Sequence, residues 1–277
     1  MATGKPSEKE ETLTERCIRA LYEKDRSSYS GKFVQGFVHN INGPLQNLTM
    51  LSEMLLSGLE NQDRIFCDST NGDNEKWSEL LGKQRKRVTQ LREQITYLAA
   101  DLREFMQLHE IERCGTEIDI NALLTRMLKV FRSDLFFKHN VKTELRLAKN
   151  LPHIKVLGRD IVPAVFNLLH NAITALRESP KKELVVETFM QDGEIVLRIT
   201  DSGVGLTEGL HPEVLFELFE SRWQESANKA ESTDKKLGFG LYAARQLLLP
   251  YGFCVCLERT DAGTSAIIRM PLKAKAA

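Results

Sequence analysis

Asn167 and Asn171 stand four residues apart in an otherwise apolar run, Asn167-Leu168-Leu169-His170-Asn171-Ala172. At helical spacing their amides share one face. Asn is a poor helix-interior residue unless its amide is used, and an amide oxygen is a hard ligand suited to Mg²⁺. Two solvated surface amides would read the same way. Asp201-Ser202-Gly203-Val204-Gly205-Leu206 follows an apparent strand. A carboxylate at a strand end, followed by glycines, allows a ligand to approach the backbone closely. Such a carboxylate can accept from the exocyclic amine of adenine, although a plain Asp-Ser-Gly turn looks alike. Leu237-Gly238-Phe239-Gly240-Leu241 opens a helix. Glycines there expose backbone N–H groups to phosphate, helped by the helix dipole; an ordinary glycine turn is the alternative. The segment is neither a Rossmann fingerprint nor a Walker A loop. Finally, His39 lies in Phe37-Val38-His39-Asn40-Ile41-Asn42-Gly43-Pro44, where a proline interrupts a helix that otherwise has every reason to continue.

The elements that must carry these residues are legible from periodicity. Residues 1–30 are a polar, helical or frayed lead-in. Phe33, Phe37, Val38, Ile41, Leu45, Leu48, Leu51, Leu55 and Leu59 recur at three- and four-residue steps, the stripe of an amphipathic helix. Residues 60–74 carry turn chemistry. A second long helix over 75–112 has the stripe Leu80, Leu81, Val88, Leu91, Ile95, Leu98, Leu102, Phe105 and Met106. Two such helices form an antiparallel hairpin over 31–113. One hairpin leaves much of its stripe uncovered, and pairing two copies into a four-helix bundle covers it. After Cys114-Gly115-Thr116 comes an α/β sandwich over 116–273, helices on one face of a sheet. The spacing predicts strands 117–120, 140–147, 153–157, 183–190, 194–200, 253–259 and 264–271. It predicts helices over 121–137, 159–178, 212–219 and 239–250. The polar stretch 220–237 reads as a surface loop or a lid.

Composition narrows the class. The 277 residues suit two domains, and Lys plus Arg equals Asp plus Glu at 38 each. That balance shows no general basic excess for nucleic acid or a membrane surface. No apolar run approaches the roughly 18–20 residues of a membrane helix. Five scattered cysteines without a CxxC pair fit a reducing cytosol. A cytoplasmic location is expected.

In order and spacing these patterns resemble the sensor histidine kinase family over about residues 31–272. The stretch around His39 looks like its H-box, NLLHNAITAL like its N-box, and DSGVGL and LGFGLYAARQLL like its two glycine boxes. LFELFESRW looks like its F-box. The resemblance implies a dimeric four-helix bundle followed by a Bergerat-type ATPase sandwich of the GHKL class. It implies His39 as phosphoacceptor, with Asn40 beside it. Asn171 becomes the Mg²⁺ ligand, Asn167 its support, and Asp201 the adenine acceptor. Gly203, Gly205, Gly238 and Gly240 line the nucleotide, and Phe216 and Phe219 anchor the lid base. ATP and Mg²⁺ are the implied substrate and cofactor. The implied partners are a second copy, the receiver domain of a response regulator and an upstream sensor protein.

Three departures modify the expectation. Asn40 stands where the family usually has Glu or Asp, and a neutral amide cannot stabilise a developing imidazolium. Autophosphorylation is therefore expected to be slow. Gly43 replaces the residue that positions water for regulator dephosphorylation. Thr174 and Ala175 stand where many relatives have a basic–aromatic pair, leaving Arg222, Lys235 or Lys236 to supply charge to the phosphates. A competing reading is a dimeric scaffold that binds nucleotide and docks a regulator without efficient catalysis. A third is another ATPase of the same fold class; the helical hairpin and its His-Pro element speak against it.

Overall fold

A computed structural model describes residue 43 and residues 45–60, 74–132, 134–206, 211–217, 238–261 and 263–272. His39, Asn40, Phe219 and the stretch 220–237 lie outside the described residues.

Residues 45–60 are helical (α1) and lie against α2, Asn74–Cys114. Arg87 Nη1 donates to the Met54 carbonyl at 2.6 Å. Gln84 is buried where Gly58 faces it, and a Cβ on Gly58 would land on the Gln84 amide. Later residues of α1 thus meet earlier residues of α2, so the two run antiparallel. The stripe expected on α2 divides in two. Leu80, Leu91, Leu98 and Phe105 are half-buried, whereas Leu81, Leu102 and Met106 are exposed, with Val88 and Ile95 each 54% exposed. Leu81, Val88, Ile95 and Leu102 are spaced by seven, a coiled-coil seam left uncovered among the described residues.

The last turns of α2 enter the core of the following domain. Leu108 is 1% exposed and Ile111 packs beside it. Gly115 and Gly158 permit this: a Cβ on either would strike the Ile111 carbonyl, at 2.6 and 1.8 Å.

The domain is a five-stranded sheet in the order β2-β4-β5-β7-β6, with β2 parallel to β4 and the other pairs antiparallel. The strands are β2 Lys142–Leu147, β4 Glu183–Gln191, β5 Glu194–Asp201, β6 Cys254–Thr260 and β7 Gly263–Pro271. β1 Glu117–Ile118 and β3 Ile154–Lys155 form a separate small antiparallel pair. Asp192 and Gly193, at φ 51° and 80°, make the tight β4–β5 turn.

Three helices, α3 Ile120–Phe131, α5 Gly158–Arg177 and α6 Gly240–Leu248, pack on one face of the sheet. Leu184, Val186, Leu197, Ile199 and Ile268 meet α5 residues Ile161, Val165, Leu168 and Leu176 in one core. At roughly 25 cal/mol per Å² of apolar surface, each such side chain contributes about 1.5–3 kcal/mol.

The single helix expected over 121–137 is two. α3 ends at Phe131, and α4, Leu135–Asn140, starts anew. Asp134 is the reason. Its carboxylate accepts from the Phe137 N–H at 3.0 Å as an N-cap and from Arg177 at 2.6 Å. The short helix expected over 212–219 is a 3₁₀ turn, Pro212–Phe216, in its described part.

Candidate nucleotide site

One face of α5 organises the site. Asn167, Asn171 and Ala175 follow each other at four-residue steps, so they form a line about 12 Å long at 1.5 Å per residue. Each end of the line meets a different glycine.

At the first end, Gly240 begins α6 beside Asn167. A Cβ on Gly240 would lie 3.5 Å from the Asn167 amide carbon. The Asn167 Nδ2 is buried and donates to nothing. A buried donor without an acceptor costs about 1–3 kcal/mol, a penalty that an incoming acceptor oxygen removes. The first N–H groups of α6 are also without intrahelical partners. Gly238 precedes them at φ 65°, a left-handed conformation that suits glycine. This end therefore offers donors and a helix dipole to an anion.

At the other end, Gly203 lies against Ala175. A Cβ there would come within 2.5 Å of the Ala175 methyl and 2.6 Å of Asp201 Oδ1. Only glycine lets the loop sit this close. Asp201, the last residue of β5, is 5% exposed. Burial raises its pKa from the ordinary 3.8 to about 6, and the Gly203 N–H, donating to Oδ1 at 2.9 Å, pulls the other way. The result is a carboxylate poised to gain from a donor that restores its lost solvation. Gly205, at φ 73°, turns the chain away.

Sequence reasoning did not single out the supports of this loop. Ser202 Oγ donates to the Lys181 carbonyl at 2.8 Å and accepts from the Glu183 N–H at 2.9 Å. Ser179 Oγ donates to the Ser202 carbonyl at 2.6 Å. On the other side Gly263, at φ 152°, would drive a Cβ to 2.2 Å from the Asp201 carbonyl. The loop is thus fastened to both neighbouring strands. The glycine at 263 was visible in the sequence, but its reason lies in a chain segment some sixty residues away.

The structure brings together Asn167 with Gly240, and Asp201 with Gly203, at opposite ends of one helix face; Asn171 sits between them, half-buried. Among the described residues no cluster of three His, Cys, Asp or Glu could hold a metal. The Asn171 amide oxygen remains a donor of the hard kind Mg²⁺ takes, beside the orphaned Asn167 amide. Among the described residues, no helix is long and apolar enough to cross a membrane.

Residues 158–274 match the family of histidine kinase-, DNA gyrase B-, and HSP90-like ATPases, a stretch that contains α5, the Asp201 loop and α6. The chain is 27% identical over 184 residues to the sensor protein kinase GraS of Staphylococcus aureus, covering 60% of this chain and 51% of that one. It is 21% identical over 253 residues to the sensor protein RprX of Bacteroides fragilis, covering 90% of this chain and 45% of that one. The chain therefore spans about half the length of these relatives. Among solved structures it is similar to a mycobacterial sensor histidine kinase, MprB. There the TM-score is 0.45 at 23% identity, over 56% of this chain and 95% of that one.

Proposed function

We propose, for a chain that belongs to the sensor histidine kinase family, that it is an ATP-dependent protein-histidine kinase of a two-component system. The observation that carries the reading is the 12 Å line on α5, a length of about eight residues at helical rise. A buried carboxylate closes one end and an unpartnered buried amide beside a helix N-terminus closes the other. That is the chemistry of a purine nucleoside triphosphate: an amine donor at one end and anionic oxygens at the other.

In this reading Asp201 accepts from the adenine amine, while Gly203 and Gly205 let the base lie against the backbone. Asn167 and the N–H groups after Gly238 and Gly240 donate to phosphate oxygens. Asn171 holds Mg²⁺, which supplies charge neutralisation on the phosphates. His39 attacks the γ-phosphorus as the bond to the β-phosphate oxygen breaks. ADP leaves, and a phosphohistidine forms that passes its phosphoryl group to an Asp of a receiver domain. Positioning and electrostatics supply the catalysis. Asn40 can hydrogen-bond the imidazole but cannot take its charge, so the rate is low. The use of ATP and a receiver domain puts the reaction in the cytoplasm.

The exposed seam Leu81, Val88, Ile95 and Leu102 supports a homodimer, since a second copy covers it. A second reading, a nucleotide-binding dimeric scaffold, is favoured by Asn40 and by Gly43, whose surroundings are open.

The test is incubation with Mg²⁺ and γ-labelled ATP, wild type beside His39→Ala. Acid-labile, base-stable label in wild type alone is expected. Absence of label from a protein that binds ATP by calorimetry would rule out the kinase and leave the scaffold.

A further inference from the structure

The 3₁₀ turn Pro212–Phe216 stands between the two ends of the cleft in sequence, after the Asp201 loop and before the stretch that leads to Gly238. In space a single side chain of α6 grips it. Arg245 Nη2 donates to Glu213 Oε2 at 2.6 Å. The same guanidinium lies over the Phe216 ring, 4.2 Å from its centre. Phe216 is itself part of the buried core. The turn has its own cap: His211 Nδ1 accepts from the Glu213 N–H at 3.4 Å.

A guanidinium suits this double contact because it is planar. Its face stacks on an aromatic ring while its edge forks to a carboxylate. Yet the ion pair is poorly placed to stabilise the fold. The two side chains are 30% and 51% exposed, and such pairs contribute little. Its value lies in geometry. Arg245 rises from the helix whose first residue, Gly240, sits beside Asn167, and it holds the turn that continues the chain from Asp201.

We propose that Arg245 is a positioning residue that, by gripping Glu213 and Phe216, fixes the Pro212–Phe216 turn against the phosphate-facing helix α6 and so sets the placement of that helix. It touches neither adenine nor phosphate. The inference rests on the nucleotide reading above. A ligand whose phosphates reach α6 feels this placement, whereas one that occupies only the adenine end does not.

The experiment is calorimetric titration of the full chain with Mg-ADP and, separately, with adenosine, for wild type, Arg245→Ala and Arg245→Lys. In Arg245→Ala the ADP affinity is expected to fall about tenfold, while adenosine affinity and the thermal midpoint stay at their wild-type values. Arg245→Lys recovers part of the loss, because an ammonium keeps the ion pair but not the stacked plane. Equal weakening of both ligands would reduce Arg245 to a general structural role, and unchanged ADP affinity would remove its role altogether. Wild type that binds neither ligand would instead overturn the nucleotide reading itself.

Discussion

Asp201→Asn separates the electrostatic cost of the site from its use. The carboxylate is 5% exposed, and its pKa rises from 3.8 to about 6 because burial penalises the charge. A folded-state pKa above the unfolded one means that the folded protein holds the proton more tightly. The contribution of Asp201 to stability is therefore most favourable below pH 4, declines as pH rises through 4 to 6, and carries the full penalty above 6. A shift of about 2 units corresponds to about 3 kcal/mol. Asn has nearly the same shape, and its Oδ1 can keep the bond from the Gly203 N–H. The variant, which has no such titration, is thus expected to gain on wild type by about 3 kcal/mol between pH 4 and pH 7.5. Urea unfolding of the nucleotide-free protein across that range measures it. The same substitution is expected to weaken Mg-ADP by about 10–100-fold at pH 7.5, since a charge-assisted acceptor contributes about 1.5–3 kcal/mol. Wild-type affinity should itself rise with pH through about 6, which the variant should not show. A stability difference independent of pH would refute the argument that Asp201 is buried at an electrostatic cost.

Three further outcomes follow from the geometry. Gly203→Ala places a methyl 2.5 Å from that of Ala175 and is expected to cost about 1–3 kcal/mol by overpacking. It also displaces the Asp201 loop, so calorimetry should show nucleotide binding lost while circular dichroism remains native. Val88→Glu with Ile95→Glu puts charge on the exposed seam and is expected to convert dimer to monomer by light scattering, with ADP affinity unchanged. A protein that stays dimeric would place the interface elsewhere. Asn40→Glu restores a carboxylate beside His39 and is expected to raise the rate of label incorporation at least tenfold, in line with general-base contributions of about 10²–10⁴. No increase would show that the neutral amide is not what limits the rate.

The sequence by itself determined the local elements and the inventory of the site. Period-two alternation in 183–200 and the Asp192-Gly193 pair specify a hairpin whatever surrounds them, because side-chain direction and turn dihedrals are local properties. The same is true of the four-residue step from Asn167 to Asn171, which any helix turns into a shared face. Where local signals ended, so did the reading. Asp134 is a local start signal for a new helix, but residue type alone does not say that it overrides the apolar period over 121–137. The break comes from Asp134, which caps α4 and also binds Arg177 forty-three residues away.

Only the tertiary structure decided how the apolar positions of α2 divide. Leu80, Leu91 and Leu98 are half-buried, while Leu81, Val88 and Ile95 stand exposed among the described residues. A helical period gives a stripe, but which edge is inward depends on the angle at which another helix packs. The orphaned amide of Asn167, the raised pKa of Asp201 and the grip of Arg245 are likewise invisible in one dimension. The amide lies beside Gly240, the pKa rises because folding buries the carboxylate, and the grip needs the Glu213 turn. Residue type and spacing state what chemistry is available, and burial and proximity, which folding sets, decide which groups are left unsatisfied and so prepared to bind.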